Sequence, residues 1–355
     1  MRNYNLKNFA DMHVHMSVLD FDVCEDYLNL LSTHSTDVAL QSLTYRDICY
    51  NLSVLYWKHN FKKINLSAFG MIHSMPEDIY KDIPYEEQVK SLLDMGCDGI
   101  KLMWAPDIRK RLGHGICDKR YDKMFSYLEE HGTPVVIHVN DPEDQWIPRE
   151  LTEYEKSRGW GYFTEGYLSK QEIYDETFEM LDKHPNLKVT FAHFFFLSNF
   201  IDEAERVLTK YPNVNFDLTP GWEMYLGFSK DIDAWQKFFI KYQDRIVFGT
   251  DCNDTKDFNS DIYELVRQGI SHDKTEFKMP AYRDYPIKGL DLPEEVLEKI
   301  CWYNYKKLVP EIKPVNMEML IKAAEKVYED IKDSTDEKLM ASAKWAKEMI
   351  ERCGK

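Results

Sequence analysis

Eight short apolar segments recur along the chain and alternate with helical patterns, which restricts the folds open to it. Several segments are continuous apolar runs, as expected for parallel strands that are covered on both faces. Strands that alternate with helices predict βαβ units and a parallel sheet. Eight such strands are the number that closes a (β/α)8 TIM barrel, so we predict an α/β fold of that type. The segments comprise residues 9–15, 36–44, 64–72, 99–104, 134–139, 188–193, 214–219 and 245–251.

Helical segments fall between these predicted strands and again after them. Ser169 and Glu172 have the spacing of a capping box, which predicts a helix start at that point. Two amphipathic segments near the C-terminus predict helices packed outside the barrel. We therefore predict a barrel over residues 1–310 and a C-terminal helical extension over 311–355. Between the strands, helices are predicted at 85–96, 121–132, 169–185, 201–212 and 233–244.

Size and charge narrow the classes of partner. The chain has 355 residues, of which 44% are hydrophobic and 30% are charged, and this suits one large barrel with extensions or two average domains. Its formal net charge is −16, with no long basic block, so nucleic acid and anionic membrane surfaces are disfavoured as partners. A small-molecule substrate is the partner that we expect.

The cysteines indicate a reducing compartment. An odd, unpatterned set without a Cys-x-x-Cys pair predicts free thiols rather than a disulfide framework. The N-terminal residues lack the apolar core of a signal peptide, and no apolar stretch approaches about 18 residues. These features predict a cytoplasmic protein. The seven cysteines are Cys24, Cys49, Cys97, Cys117, Cys252, Cys301 and Cys353.

Potential metal ligands stand at the ends of four predicted strands. On a regular strand, Phe9, Asp11, His13 and His15 share one face, and the Cα atoms of the two histidines lie about 6.6 Å apart, so both imidazoles can reach one cation. The C-terminal ends of barrel strands share one rim, which carries the active site. A single histidine at a strand end is often a hydrogen-bonded structural residue, but a set of them at one rim favours a metal site. The other strand-end residues are His138, His193 and Asp251.

Neutral imidazoles and one carboxylate form a site for a divalent transition metal such as zinc, manganese or iron. Such a metal can lower the pKa of bound water from about 15.7 towards 7. A neighbouring carboxylate can then take the proton and pass it to a leaving group. Asp251 is the candidate for that proton shuttle.

Six blocks of the sequence resemble the amidohydrolase superfamily. The resemblance is to the amidohydrolase-related branch, which includes aminocarboxymuconate-semialdehyde decarboxylase together with related decarboxylases, hydratases and lactonases. It implies the barrel fold and a metal-dependent activity, but it does not specify a substrate. The blocks are ADMHVH (10–15), GCDGIKL (96–102), TPVVIHV (133–139), NLKVTFAHF (186–194), RIVFGTD (245–251) and LPEEVLEKICWYN (292–304).

The resemblance also implies roles for individual residues. One divalent ion, which we expect to be Zn²⁺ with Mn²⁺ or Fe²⁺ as alternatives, would be bound by His13, His15, His138 and Asp251. His193 would be a catalytic residue that transfers a proton or polarises the substrate. Lys101 is either a cation at the rim or, as in two-metal relatives, a carboxylated bridge to a second metal.

Other residues near the strand ends are candidates for substrate contact. An arginine can pair bidentately with a carboxylate, so Arg46, Arg109 or Arg111 could hold an acidic substrate. His73 follows the third strand and could line the pocket. Each of them could also be an ordinary surface or structural residue.

Three functions are compatible with these features. The first is a metal-dependent hydrolase of an amide, ester or lactone, with Asp251 as proton shuttle and His193 stabilising the oxyanion. The second is non-oxidative decarboxylation or hydration of an unsaturated or aromatic acid, which requires a cationic clamp such as Arg46. The third is a barrel that binds a metal or ligand without turnover. The family also suggests a homo-oligomer.

Overall fold

Nine parallel strands form one sheet in the computed structural model, which describes residues 6–221, 223–254, 259–279 and 285–354. Their order in the sheet is β8-β7-β6-β5-β4-β3-β2-β1-β9, so from β1 to β8 each strand lies beside the next one in sequence. The strands are β1 (Ala10–His15), β2 (Asp37–Gln41), β3 (Asn65–Met71), β4 (Gly99–Trp104), β5 (Val135–Val139), β6 (Val189–Phe191), β7 (Val214–Asp217), β8 (Ile246–Val247) and β9 (Cys252–Asn253).

The last predicted strand closes the barrel in two pieces. β8 pairs with β7, whereas β9 pairs with β1 through Val14 and Cys252. The prediction of one continuous strand over 245–251 was therefore wrong, because β8 ends at Val247 and Asp251, directly before β9, has a φ of 56°. Since the two short strands join opposite edges of the sheet, they complete the predicted (β/α)8 TIM barrel.

A bulge in β1 changes which side chains point into the barrel. Asp11 pairs with Val38 and Val14 pairs with Leu40, so β1 has one more residue than β2 over this step. The extra residue shifts the alternation of faces between Asp11 and the histidines. The prediction that Phe9 and Asp11 share a face with His13 and His15 was therefore wrong.

Helices follow most of the strands and surround them. Ser169 and Glu172 form the predicted capping box, with each side chain accepting the other residue's backbone N–H. The helices are α1 (Phe21–Leu31), α2 (Tyr50–Asn60), α3 (Tyr85–Asp94), α4 (Pro106–Leu112), α5 (Asp122–Glu130), α6 (Glu153–Ser157), α7 (Lys170–Lys183), α8 (Ile201–Lys210), α9 (Met224–Lys230), α10 (Ile232–Lys241), α11 (Asn259–Ser271), α12 (Glu294–Glu298), α13 (Asn304–Leu308), α14 (Met317–Ile331) and α15 (Glu337–Cys353). A small antiparallel pair, β10 (Glu276–Phe277) and β11 (Ile287–Lys288), lies outside the main sheet.

Two layers of apolar side chains hold the barrel together. The larger layer lies between the strands and the helices, and the smaller one fills the barrel interior. Tyr305 and Leu308 of α13 pack against this interior layer. The strand residues of the interior layer are Ala10, Met12, Ala39, Phe69, Val136 and Val247.

The two C-terminal helices, α14 and α15, pack against one another and on the outside of the barrel. The Trp345 ring of α15 stacks on Phe21 of α1, with ring centroids 5.3 Å apart. Ser342 of α15 donates a hydrogen bond to the carboxylate of Asp47, in the loop after β2. The predicted extension is therefore joined to the rim side of the barrel through this loop. Across the described parts of the chain, no helix is long and apolar enough to cross a membrane.

Candidate metal centre

His13, His15 and Asp251 bring three potential ligand atoms together at the carboxyl ends of the strands. The Nε2 atoms of His13 and His15 are 3.1 Å apart. Asp251 Oδ1 lies 3.1 Å from His15 Nε2 and 3.8 Å from His13 Nε2. Ligand atoms about 2.0–2.2 Å from one zinc ion have separations of this size in a tetrahedral site. The three residues therefore have the spacing of a metal-binding group.

The hydrogen bonds of the two histidines support the same conclusion. His13 Nδ1 lies 2.8 Å from Asp217 Oδ2, and His15 Nδ1 lies 3.1 Å from the carbonyl oxygen of Gln41. Since each acceptor requires a proton on Nδ1, both Nε2 atoms present lone pairs, and these face one another. Burial lowers the pKa of both imidazoles, which favours the neutral form that binds metals. A cation bound by both Nε2 atoms would relieve this repulsion.

Asp217 organises the buried side of the centre, and the sequence analysis did not identify it. Besides His13, its carboxylate accepts hydrogen bonds from the backbone N–H of His193 and from the backbone and hydroxyl of Thr219. A carboxylate that orients a metal-binding imidazole also fixes its tautomer. The sequence did contain a signal for Asp217, because it is the last residue of β7 and so stands at a strand end, as the candidate histidines do.

His193 is held in a left-handed turn. The prediction that β6 reaches residue 193 was wrong, because the strand ends at Phe191 and residues 193–196 all have φ between 53° and 55°. This conformation costs about 1–2 kcal/mol per residue, and such strain is concentrated at functional sites. Burial, and then the neighbouring His138, lower the pKa of His193 to about 3. Its Nδ1 donates a hydrogen bond to the carbonyl oxygen of Thr219, so in the neutral ring Nε2 is free of a proton and can accept a hydrogen bond.

His138 lies beside the centre but outside the group of three. Its Nε2 is 3.0 Å from the carbonyl oxygen of Asn140, and its ring centroid is 4.7 Å from that of His193. The predicted role of His138 as a metal ligand stays a prediction. A rotation of its ring would be needed to release Nε2 from Asn140.

Lys101 is completely buried and reaches the centre itself. Its Nζ is 3.1 Å from His13 Nε2, and burial lowers its pKa to about 8. Lys101 therefore lies beside the candidate ligands, in the interior of the protein. Both predicted roles, cation and carboxylated bridge, stay predictions.

A cavity of about 860 Å³ opens above the centre. Its walls include the side chains of His15, His138, His193 and Asp251, and 32% of the Asp251 side chain is exposed. Aromatic residues and four cationic residues line the rest of the cavity. The aromatic ones include Tyr45, Tyr154, Trp160 and Phe196, and the cationic ones are Arg46, Arg111, Arg158 and Lys338.

The other candidate substrate contacts are in different environments. Arg46 lines the cavity and donates to the hydroxyl of Tyr45, with no carboxylate of the described residues within ion-pair distance. Arg111 also lines the cavity, but it pairs with Glu77. Arg109 forms a bidentate pair with Glu176, and His73 donates to Asp78 at 2.7 Å. Neither Arg109 nor His73 is among the residues that line the cavity.

Comparisons with known proteins agree with this architecture. A family profile described as Amidohydrolase matches residues 72–310. An amidohydrolase II structure is similar, with 14% identity, a TM-score of 0.54, and coverage of 86% of this chain and 100% of that one. A Staphylococcus aureus protein assigned to the amidohydrolases has 13% identity, a TM-score of 0.56, and coverage of 86% and 100%.

An uncharacterised TIM-barrel protein of Bordetella bronchiseptica has 15% identity and a TM-score of 0.53, with coverage of 85% of this chain and 98% of that one. No curated protein matches the sequence. At these identities, the structural matches establish the fold alone.

Proposed function

The chain belongs to the amidohydrolase family, and we propose that it is a metal-dependent hydrolase that acts on a small molecule. His13, His15 and Asp251 would hold one divalent cation at the floor of the cavity. The observation that carries the proposal is the convergence of their three ligand atoms. Two of these atoms, the Nε2 atoms of His13 and His15, are 3.1 Å apart and direct their lone pairs towards one another. Nitrogen and carboxylate ligands suit Zn²⁺, with Mn²⁺ and Fe²⁺ as alternatives.

A bound cation of this kind supplies a Lewis acid that activates water and polarises a carbonyl group. The chain itself supplies orientation and proton transfer. Asp217 holds the His13 ring through Nδ1 and the His193 backbone through its N–H. Asp251 faces the cavity, where it would take the proton of the attacking water and return it to the leaving group. His193 would accept a hydrogen bond at Nε2 and so orient the water or the substrate.

The substrate that we propose is an amide, ester or lactone that also carries a carboxylate. Arg46 supports this because its guanidinium lines the cavity and has no carboxylate partner among the described residues. A charge-assisted bond from Arg46 would place the scissile group over the centre. The aromatic side chains of Tyr154 and Phe196 would pack against the body of the substrate.

A second candidate reaction uses the same centre. Decarboxylation or hydration of an unsaturated or aromatic acid needs a cation that holds the acid group, and the unpaired Arg46 favours this reaction too. The two reactions differ in their products, since hydrolysis yields an acid and an alcohol or amine, whereas decarboxylation releases carbon dioxide and hydration breaks no bond to a leaving group.

Metal content and turnover measured on the same preparation test the proposal. Protein purified without a histidine-rich tag should contain about one equivalent of zinc, manganese or iron, and His15→Ala should lose it. His131→Ala is the matched control because His131 is exposed and lies away from the cavity. The metal-loaded protein is then screened against lactones, N-acyl amino acids and unsaturated acids. A chain that binds no metal, or that keeps its metal in His15→Ala, would contradict the proposal.

A further inference from the structure

Helix α15 brings a residue of the C-terminal extension to the substrate cavity. Lys338, in the first turn of α15, lines the same cavity as His15 and Asp251. This helix lies outside the barrel and beyond residues 72–310, which the family profile matches. The extension therefore contributes a side chain to the wall of the cavity, in addition to packing on the outside of the barrel.

Hydrogen bonds fix the start of α15 against the loop that carries Arg46. Asp336 caps the helix by accepting the backbone N–H groups of Lys338 and Leu339. One turn later, the Ser342 hydroxyl lies 2.9 Å and 2.8 Å from the two carboxylate oxygens of Asp47, the residue after Arg46. Both Ser342 and Asp47 are buried. These bonds hold the first turns of α15 next to the loop that carries Arg46.

The charges around the cavity contrast with the charge of the whole chain. The protein has a net charge of −16, yet four cationic side chains from four separate segments line this cavity. Arg111 pairs with Glu77, whereas Arg46, Arg158 and Lys338 form no ion pair with any residue that the structure describes. Cationic side chains in a cleft attract ligands of the opposite charge.

Acidic side chains also reach the cavity, and two of them, Asp141 and Asp251, lie close to histidines of the centre. Asp141 accepts a hydrogen bond from Tyr162 and lies 3.5 Å from His138 Nε2. Asp251 contacts His15. Burial, together with the nearby Asp141 carboxylate, raises the pKa of Asp107. Asp47 lies near Lys338, but its carboxylate accepts hydrogen bonds from the Ser342 hydroxyl and the backbone N–H of Cys49.

From this arrangement we propose that Lys338 is a specificity-determining residue that binds a second acidic group of the substrate. The first acidic group would lie at Arg46, so the inference rests on the proposed function and narrows its substrate class to small dianions. Lys338 is exposed and lines the cavity, so it would contact a part of the substrate that is accessible to solvent.

Binding of two probes tests this role. Isophthalate and benzoate share an aromatic ring and one carboxylate, and only isophthalate has a second carboxylate. Calorimetry on the full chain should give tighter binding of isophthalate than of benzoate. Lys338→Gln should weaken isophthalate binding by about three- to fivefold, the size of one exposed ion pair, and leave benzoate binding unchanged.

Two further variants separate charge from structure. Lys338→Arg keeps the charge and should retain most of the preference for isophthalate. Lys344→Gln removes an exposed lysine from the same helix, away from this cavity, and should change neither affinity. Equal affinities of the wild type for the two probes, or an equal effect of Lys338→Gln on both, would overturn the inference.

The outcome can be distinguished from a failure of the proposed function. The probes are measured on zinc-loaded and on metal-free protein, because the contribution of Lys338 does not require the metal. A chain that binds no zinc but shows the selective effect of Lys338→Gln would contradict the metal-dependent function only. A chain that binds one zinc and lacks the selective effect would contradict the inference only.

Discussion

The Nδ1 atom of His13 lies 2.8 Å from Oδ2 of Asp217, with both side chains buried where β1 and β7 reach the rim of the barrel. This contact selects the tautomer in which His13 presents the lone pair of Nε2 to the candidate centre. The same carboxylate holds the backbone of His193. Asp217 therefore positions two residues of the centre without lying among the ligands.

Replacing Asp217 by asparagine should weaken metal binding by about 10- to 100-fold, as removal of such outer carboxylates does. The amide would present an N–H group to His13 or accept a weaker hydrogen bond from it. Competition with a chromophoric chelator measures the affinity. Asp182→Asn, at an exposed carboxylate, is the control and should bind metal as the wild type does. Unchanged affinity in Asp217→Asn would show that the contact does not orient a ligand.

Asp251→Asn should lower kcat by about 10²- to 10⁴-fold and leave the fold intact, because an amide cannot take the proton of water. Metal content is measured in the same sample, since Asp251 is also a proposed ligand. The control is Asp261→Asn, at an exposed residue of α11. Retention of metal with loss of turnover would support the proton shuttle, whereas retained turnover would exclude it.

Arg46→Gln should raise KM for a carboxylate-bearing substrate by about 10- to 100-fold, the value of a charge-assisted hydrogen bond. For an uncharged ester or lactone, KM and kcat should change little. Arg120→Gln is the matched control because Arg120 is half-exposed, pairs with Asp118 and does not line the cavity. Equal effects of Arg46→Gln on acidic and neutral substrates would indicate a structural role.

Glu223 should make the protein less stable as the pH rises. Burial raises its pKa to about 7, and among the residues that the structure describes its Oε2 has no hydrogen-bond partner. The native state therefore keeps this proton to a higher pH than the unfolded state, whose glutamate pKa is about 4.3. Its contribution to stability falls between pH 4 and pH 7 and stays low above that range.

Glu223→Gln removes this penalty, so its free energy of unfolding relative to the wild type should rise by about 1–3 kcal/mol from pH 4.5 to pH 8. Urea unfolding at several pH values measures the difference. Glu325→Gln, at an exposed position of α14, should show no such trend. If the difference in free energy of unfolding between Glu223→Gln and the wild type also stayed constant with pH, the native carboxyl of Glu223 would have an ordinary pKa.

Several elements were missed by sequence analysis for identifiable reasons. Nearly every residue of α2 is buried, polar ones included, so the helix has no apolar stripe to detect. The bulge in β1 depends on pairing with β2, which local periodicity cannot reveal. The left-handed turn at His193 is stabilised by contacts with Asp217 and Thr219, residues more than twenty positions away.

The sequence by itself determined the family, through the six blocks that resemble it. It also determined the barrel and the strand-end positions of the candidate ligands, because strand patterning follows from local periodicity and the strands of a parallel barrel share one rim. Only the tertiary structure decided which of these side chains meet. Barrel closure through β8 and β9 brings Asp251 to His15, while the Nε2 of His138 is directed to Asn140. The tertiary structure also brings Asp217 and Lys338 to the site. A contact between residues that are distant in sequence depends on packing rather than on any pattern along the chain.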